Sequence, residues 1–354
     1  MEITDLPVEG YQRVAVARDP QSGLHALIAV HDTTLGPALG GMRMWTYASE
    51  QDALTDVLRL SKGMTYKSAI ANTGLGGGKS VIIGDPKQLK SEQLFLAMGR
   101  FIDAFEGHYI TAEDVNIDVE DLEIVRRTTR HVSGLSRNDG GSGNPSPYTA
   151  YGVFLGLRAA CEHKFGTADL SGRTVAVQGV GAVGSELVRR LVKSGAKVTV
   201  SDQRSERVSK MVELYGVQSA SDQEIYGVDA EVFAPCALGA VINDQTLKQL
   251  KCKVIAGGAN NVLHESRHGQ ILFDRGILYA PDYVINAGGI INVSVEFIDG
   301  GYDEKVALQH IERIPEALKE IWAISAHKKI PSSQAADRFA EQIIADARSA
   351  KAST

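Results

Sequence analysis

Three stretches of this chain carry residue types at spacings that do chemistry. The first is Gly179-Val180-Gly181-Ala182-Val183-Gly184. It follows the apolar run 174–177 and opens an amphipathic run with Leu187, Val188, Leu191 and Val192. A second β-type run, 197–201, ends at Asp202, 18 residues after Gly184. Strand, glycine turn, helix, strand and terminal acid in that order form a dinucleotide cradle. Gly179 permits the tight turn, Gly181 offers bare backbone to a pyrophosphate, and Gly184 lets helix and strand pack closely. The helix start presents unpaired N–H groups to the phosphates. Asp202 can accept hydrogen bonds from both adenosine ribose hydroxyls and repels a 2′-phosphate, which favours NAD over NADP. Arg204 and Arg207 pull the other way, and Arg207 counts as a candidate cofactor contact. A purely structural glycine turn is the alternative, and the surrounding strand–helix–strand context argues against it.

The second stretch is Gly74-Leu75-Gly76-Gly77-Gly78-Lys79-Ser80. A triphosphate loop would need glycine at position 73, where Thr stands, and a helix afterwards, where Val81-Ile82-Ile83 reads as a strand. What remains is a glycine loop whose free N–H groups suit a carboxylate and which presents one lysine. Burial, or a second cation such as Lys67, would depress the pKa of Lys79 and make it a general base. A solvated surface charge is the commoner role for either lysine alone. The third stretch, His264-Glu265-Ser266-Arg267-His268, matches a zinc-protease pattern. It is short and polar, Gly269 follows at once, and no third ligand is evident, so it reads as coincidence. No metal is expected. The other histidines are scattered, and Cys161, Cys236 and Cys252 have no metal-knuckle or disulfide-framework spacing, which suits a reduced cytoplasmic setting.

These groups need elements to hold them. Residues 23–31 read as a strand. Residues 50–66 carry helically spaced apolar positions behind Ser49 as N-cap. Residues 80–83 read as a strand, and Ser91 opens a helix to about 105. Residues 137–147 are turn formers without apolar periodicity and suit a hinge. Beyond them a helix covers roughly 149–164. Strands at 174–179, 197–202, 231–234, 253–256 and 277–279 then alternate with helices, which implies a parallel sheet. One long helical pattern runs over 303–329, and a last helix covers 333–349. The expected fold is α/β with two domains and a cleft between them. Residues 1–136 with 330–354 form a substrate and oligomerisation domain, and 137–329 a Rossmann dinucleotide-binding domain. The 354 residues suit about two domains. A net charge of −6 argues against a nucleic-acid partner. No apolar run reaches the ~18 residues of a membrane helix, and the acidic N-terminus has no secretory h-region. The 36 glycines are about 10% of the chain against an average near 7%, and they fall mainly at 40–41, 74–78, 140–143, 179–184, and 257–258 with 288–289.

Several longer segments then carry a resemblance. They are Pro37-Ala38-Leu39-Gly40-Gly41, Arg43-Met44-Trp45, Lys62-Gly63-Met64-Thr65-Tyr66-Lys67, residues 76–79, Thr111-Ala112-Glu113-Asp114-Val115, residues 143–147, Pro235-Cys236-Ala237-Leu238-Gly239 and Asn286-Ala287-Gly288-Gly289. The chain resembles the glutamate/leucine/phenylalanine/valine dehydrogenases over nearly its whole length, the leucine branch most closely. The resemblance implies NAD-dependent, reversible oxidative deamination of an apolar L-amino acid to a 2-oxo acid and ammonia, in a homo-oligomer. It implies Lys67 on the substrate carboxylate, helped by the N–H groups of Gly76 and Gly77. Lys79 would be the general base and Asp114 the proton exchanger. Asn260 would lie near both substrate and nicotinamide, and Arg43, Thr149 and Ala237 near the cofactor. The substrate pocket would include Leu39, Met42, Ala112 and residues 290–293. Leucine enzymes usually carry Thr at the position of Met42 and Gly-Thr-Thr at 116–118, here Asn-Ile-Asp. Branched-chain and aromatic substrates, the latter those of phenylalanine or tryptophan enzymes, therefore both stay open. An NAD-binding sensor on the same fold is the non-enzymatic alternative, which the presence of Lys67, Lys79 and Asp114 together opposes.

Overall fold

The structure, a computed structural model, describes residues 1–137 and 140–353. They form two compact units, Met1–Asn144 with Val293–Glu304 and Ala340–Thr354, and Pro145–Asn292 with Lys305–Phe339. The division expected from the sequence fell at 136/137 and 329/330; the compact units divide at 144/145 and 339/340, and 293–304 returns to the first. Of the expected hinge at 137–147, Asn138 and Asp139 lie outside the described residues.

The first unit is built on β1 (Glu2–Asp5), β2 (Arg13–Asp19), β3 (Leu24–Asp32), β4 (Ala38–Trp45), β5 (Gly76–Ile83) and β6 (Tyr109–Ala112). The sheet order is β1-β2-β3-β5-β4-β6, antiparallel from β1 to β5 and parallel from β5 through β4 to β6. Its helices are α1 (Glu50–Ile70), α2 (Pro86–Leu89), α3 (Glu92–Asp103) and α4 (Val119–Arg126). Ser49 caps α1 by accepting the Asp52 N–H, and Ser91 caps α3 by accepting that of Leu94; each satisfies a donor that the helix start leaves orphaned. Strand alternation decides the two faces. Val14, Val16, Leu27, Ala29 and Val81 pack with Ala53 and Val57 of α1. Ala38, Met42, Met44 and Ile82 face Phe95, Met98 and Phe101 of α3.

The second unit carries β7 (Thr174–Gln178), β8 (Lys197–Ser201), β9 (Gln218–Ser219), β10 (Val232–Pro235), β11 (Val254–Ile255) and β12 (Leu278–Tyr279). They form an all-parallel sheet of order β12-β11-β10-β7-β8-β9. The chain runs outward from β7 to β9, then restarts on the other side with β10. The carboxyl ends of β7 and β10 therefore flank a topological switch point, where such sheets bind ligands. The helices from here to the end of the chain are α5 (Ser146–Phe165), α6 (Ala182–Lys193), α7 (Ser205–Tyr215), α8 (Ser266–Asp274), α9 (Asp282–Ile285), α10 (Gly288–Ser294), α11 (Glu304–Ile311), α12 (Ile314–Lys328) and α13 (Ser332–Ala352); the end of α10, the first residue of α11 and α13 from Ala340 on are counted with the first unit. The single helix expected over 303–329 is two, α11 and α12. The second starts afresh with Pro315 in its first turn, where the missing N–H costs nothing but could not continue a helix. The two-residue β9 had no periodic signal to reveal it. Among the described residues no helix is long and apolar enough to cross a membrane, and Cys161, Cys236 and Cys252 are free.

Candidate active site

The first unit brings three charged side chains together. Lys79, on β5, is only 6% exposed, and its Nζ forms an ion pair with Asp114 Oδ2. Arg43, on β4, donates from Nε to the same oxygen at 3.2 Å. Sheet register explains the meeting. Leu39 pairs with Gly77 and Arg43 with Val81, so Leu39, Gly41 and Arg43 share a face with Gly77 and Lys79. β6 pairs Ala112 with Gly41, which delivers Asp114 to that face just beyond the strand end. The turn bearing Asp114 is pinned to β4: Met44 N–H donates to the Val115 carbonyl at 3.1 Å and Asn116 Nδ2 to the Met44 carbonyl at 3.0 Å. Asn116 has φ +61°, a left-handed conformation that asparagine tolerates better than most residues. Gly41 leaves the room: a Cβ there would lie 2.5 Å from the Glu113 carbonyl oxygen and 2.8 Å from Asp114 Cβ.

Burial pushes the Lys79 ammonium pKa down; Asp114 pulls it back up, and Arg43 adds to the depression, so the net direction is down. Burial raises the Asp114 carboxyl, but the Lys79 and Arg43 cations outweigh this and hold it below the usual carboxylate range. A lysine whose pKa is lowered by burial, beside a carboxylate held ionised, can act as a proton-transfer pair. Arg43 continues the network, donating from Nη1 to Asp56 Oδ2 at 3.0 Å. Asp56, on α1, also accepts from Tyr47 Oη at 2.7 Å and from Arg59 at 3.1 Å. A cavity of about 710 Å³ opens beside these groups, lined by Arg43, Trp45, Tyr47, Asp56, Arg59 and Val115.

Three expectations change here. Residues 76–79 are not a loop but the first half of β5. The Gly76 N–H is donated to the Pro37 carbonyl at 2.9 Å and is not free for a carboxylate. Gly77 makes room for α1 instead, since a Cβ there would lie 2.0 Å from the Thr65 nitrogen. Met42, expected to line the pocket, pairs with Ser80 and points to the opposite face of the sheet, into the α3 core. Leu39 and Ala112 do share the Lys79 face. Lys67 is half-buried in the last turn of α1. Residues 116–118 serve the Asp114 turn and the start of α4, where Asp118 forms a capping box with Asp121.

The second unit places the glycine fingerprint at the carboxyl end of β7. Gly179 has φ +90°, and Gly181 is the N-cap of α6, with no side chain capping that helix. A Cβ on Gly179 would lie 2.5 Å from Ala237 Cβ, and one on Gly184 1.9 Å from the Gly179 carbonyl oxygen. A Cβ on Gly181 would meet only Arg207 Nη1, at 3.5 Å. The first and third glycines are thus filled against by protein, while the second faces open space where a pyrophosphate needs bare backbone. Asp202 follows β8 and accepts from the Val180 and Arg204 N–H groups, both at 2.9 Å; Arg207 Nη1 stands 3.6 Å away. Ala237 is exposed beyond β10. Asn260 is exposed, and its Oδ1 accepts from Asn286 Nδ2 at 2.7 Å. Thr149 lies in the first turn of α5 beside Gly289. The residues present fit a dinucleotide.

The His264 stretch opens α8, one of the helices expected between the strands of the parallel sheet. Glu265 is the N-cap of α8, and the fully buried His268 accepts the Glu265 N–H on Nδ1 at 3.0 Å. The histidine is an internal cap. Among the described residues no group of three or more His, Cys, Asp or Glu side chains is arranged to hold a metal. The sequence reading missed Asp56 and Tyr47. Their only local signal was an acid and a tyrosine flanking the start of α1, which is also how an ordinary solvated helix start looks.

Residues 11–131 match the family model described as Glu/Leu/Phe/Val dehydrogenase, dimerisation domain, and 140–206 and 202–352 match that of the Glutamate/Leucine/Phenylalanine/Valine dehydrogenases. Leucine dehydrogenase of Thermoactinomyces intermedius is 53% identical over 334 residues, 94% of this chain and 91% of that protein. That of Geobacillus stearothermophilus is 53% identical over 341 residues, 96% of this chain and 92% of the relative. The crystal structure of L-tryptophan dehydrogenase from Nostoc punctiforme superposes with a TM-score of 0.85 at 42% identity, covering 96% of this chain and 97% of that one.

Proposed function

Since this chain belongs to the Glu/Leu/Phe/Val dehydrogenase family, we propose that it catalyses the reversible, NAD-dependent oxidative deamination of an apolar L-amino acid to its 2-oxo acid and ammonia. The observation that carries this is the buried Lys79, depressed in pKa and paired with Asp114 under Arg43. The cofactor, held by the backbone of residues 179–184 and by Asp202, with Thr149, Ala237 and Asn260 on the same unit, supplies the hydride acceptor. Loss of hydride from Cα leaves a cationic imine on the substrate. Lys67 binds the substrate carboxylate. Lys79, neutral, takes a proton from the water that attacks the imine carbon. Asp114, ionised, exchanges protons with the departing amine. Leu39 and Ala112 meet the apolar side chain. The match of residues 11–131 to the family's dimerisation domain supports self-association.

A branched-chain substrate is favoured. The two departures from the leucine branch, Met42 and residues 116–118, serve the α3 core and the Asp114 turn, and neither reshapes the Lys79 face. The likeness to an L-tryptophan dehydrogenase supports an aromatic substrate as the second reading. A panel of L-amino acids with NAD or NADP, followed by reduced-nicotinamide absorbance, separates them. Leucine and valine are expected to exceed phenylalanine and tryptophan in kcat/KM by more than about 10-fold, the scale of a mismatched apolar pocket. The reverse order selects the aromatic reading, and NADH binding without turnover on any amino acid selects the sensor.

NAD is favoured over NADP because the Asp202 carboxylate is fixed by two N–H groups at the end of β8, where it meets the ribose hydroxyls and repels a 2′-phosphate. Asp202→Ser is expected to shift the NAD:NADP ratio of kcat/KM toward NADP by about 10- to 100-fold, the worth of a hydrogen bond to a charged group. An unchanged ratio would show that Asp202 does not select the cofactor.

A further inference from the structure

The network does not stop at the groups that meet substrate. Asp56 has no hydrogen bond to Lys79 or Asp114, yet its carboxylate accepts three hydrogen bonds. Oδ2 takes Arg43 Nη1 at 3.0 Å and Tyr47 Oη at 2.7 Å, and Oδ1 takes Arg59 at 3.1 Å. Its side chain is 17% exposed, against 59% for Arg59. Two of its partners, Arg43 and Tyr47, therefore lie on the sheltered side, and Arg43 spans the gap to Asp114 at 3.2 Å. An arginine has a planar fork with fixed donor directions. With Nη1 tied to Asp56 and Nε to Asp114, the guanidinium cannot turn toward solvent without breaking both bonds.

We propose that Asp56 is a positioning residue for the reaction, clamping Arg43 against Asp114 so that the Lys79–Asp114 pair keeps its working arrangement. The proposal rests on the general-base role given to Lys79 above. Besides orientation, Asp56 offsets charge. Without it, the Arg43 cation would act on Lys79 answered by Asp114 alone. The charged groups acting on Lys79 are Asp114 beyond β6, Arg43 on β4 and Asp56 on α1. β3 puts Ala29 opposite Lys79. Tyr109 of β6 is engaged with Gly40, Ser80 and Thr111 on the other face, and Lys67 lies about three turns beyond Asp56 on α1. Tyr47 does not replace the lost charge, since burial, the largest cause of its raised phenol pKa, remains when Asp56 is gone.

The sign follows from these charges. Removing the negative charge of Asp56 disfavours the Lys79 ammonium, so Lys79 loses its proton at lower pH. The test is the pH profile of kcat/KM for the amino acid in the full-length enzyme, compared between wild type, Asp56→Asn and Asp56→Glu. Asp56→Asn is expected to move the acid limb down by about half a pH unit, less than a directly contacting charge would give. Asp56→Glu, which restores the charge, is expected to bring it back toward wild type, and NADH affinity is expected to stay within about twofold, because the variants leave the dinucleotide cradle intact. An acid limb that stays in place, or a loss of rate equal at every pH, overturns the proposal and leaves Asp56 a structural residue. Should Asp56→Asn fail to fold, Asp56→Ser is read in the same way. Full turnover by Lys79→Ala would fail differently: it removes the general-base role itself, and the positioning role falls with it.

Discussion

Replacing Lys79 with alanine is expected to lower kcat/KM for the amino acid by about 10²- to 10⁴-fold, the usual contribution of a positioned general base, in a protein that still folds and still binds NADH. The fold should survive because the deletion does not orphan Asp114: Arg43 Nε remains 3.2 Å from it, so no buried charge is left alone. NADH binding should survive because the dinucleotide cradle belongs to the other compact unit. The pH dependence has a definite sign. Burial lowers the pKa of Lys79, so the neutral base becomes available at lower pH than in an exposed lysine. In the wild type kcat/KM should climb with pH through that lowered value and level off above it. In Lys79→Ala that limb should vanish. Lys79→Arg should not restore it, since a guanidinium stays protonated throughout. A folded Lys79→Ala enzyme with wild-type turnover would falsify the assignment.

The second large effect separates two glycines of one motif. Gly184→Ala puts a methyl 1.9 Å from the Gly179 carbonyl oxygen and 3.0 Å from its carbon. Both neighbours are backbone and cannot swing aside, so β7 and α6 must part. Overpacking of this kind costs about 1–3 kcal/mol or more, which corresponds to a fall in Tm of about 3–10 °C for a unit of this size. Dinucleotide affinity should fall as well, because the turn and the helix start move together. Gly181→Ala meets only the flexible tip of Arg207, at 3.5 Å. Its Tm should stay within about a degree, since it creates no protein clash, while NADH affinity drops more than about 10-fold because the methyl fills the path of the pyrophosphate. Thermal unfolding and NADH fluorescence titration read both. Equal loss of stability in the two variants would show that Gly181 too is a packing glycine.

These outcomes depend on features of different legibility. The dinucleotide cradle was readable because all its parts are local: a strand, a turn, a helix and an acid within about thirty residues. Local hydrogen bonds and adjacent packing dictate such a unit, so the order of residue types is nearly the geometry. The same locality made the Ser49 and Ser91 caps readable. The extent of β5 was not readable. Three successive glycines look like a turn, and only pairing with β3 on one side and β4 on the other turns residues 76–79 into a strand. Gly77 is there because α1 packs too close for a side chain, while a Cβ at Gly76 would meet the Asp32 and Gly36 carbonyl oxygens and one at Gly78 the Tyr109 ring. Met42 was misplaced because the resemblance carries a position without its facing. Counting the period of two from Arg43 would have put Met42 on the other side.

By itself the sequence determined the two-unit α/β organisation and the parallel sheet that follows the glycine fingerprint, and it singled out Lys67, Lys79 and Asp114 as candidates. The organisation and the sheet depend on short-range periodicity; Lys79 stood out by residue type beside its glycines, and Asp114 and the role of Lys67 came from the family resemblance. Only the tertiary structure decided that Lys79, Asp114 and Arg43 meet at one oxygen, that Asp56 anchors them, and that His268 caps a helix. Those contacts join residues dozens of positions apart through sheet register. Register is set by which strands become neighbours, a choice made by the packing of the whole unit.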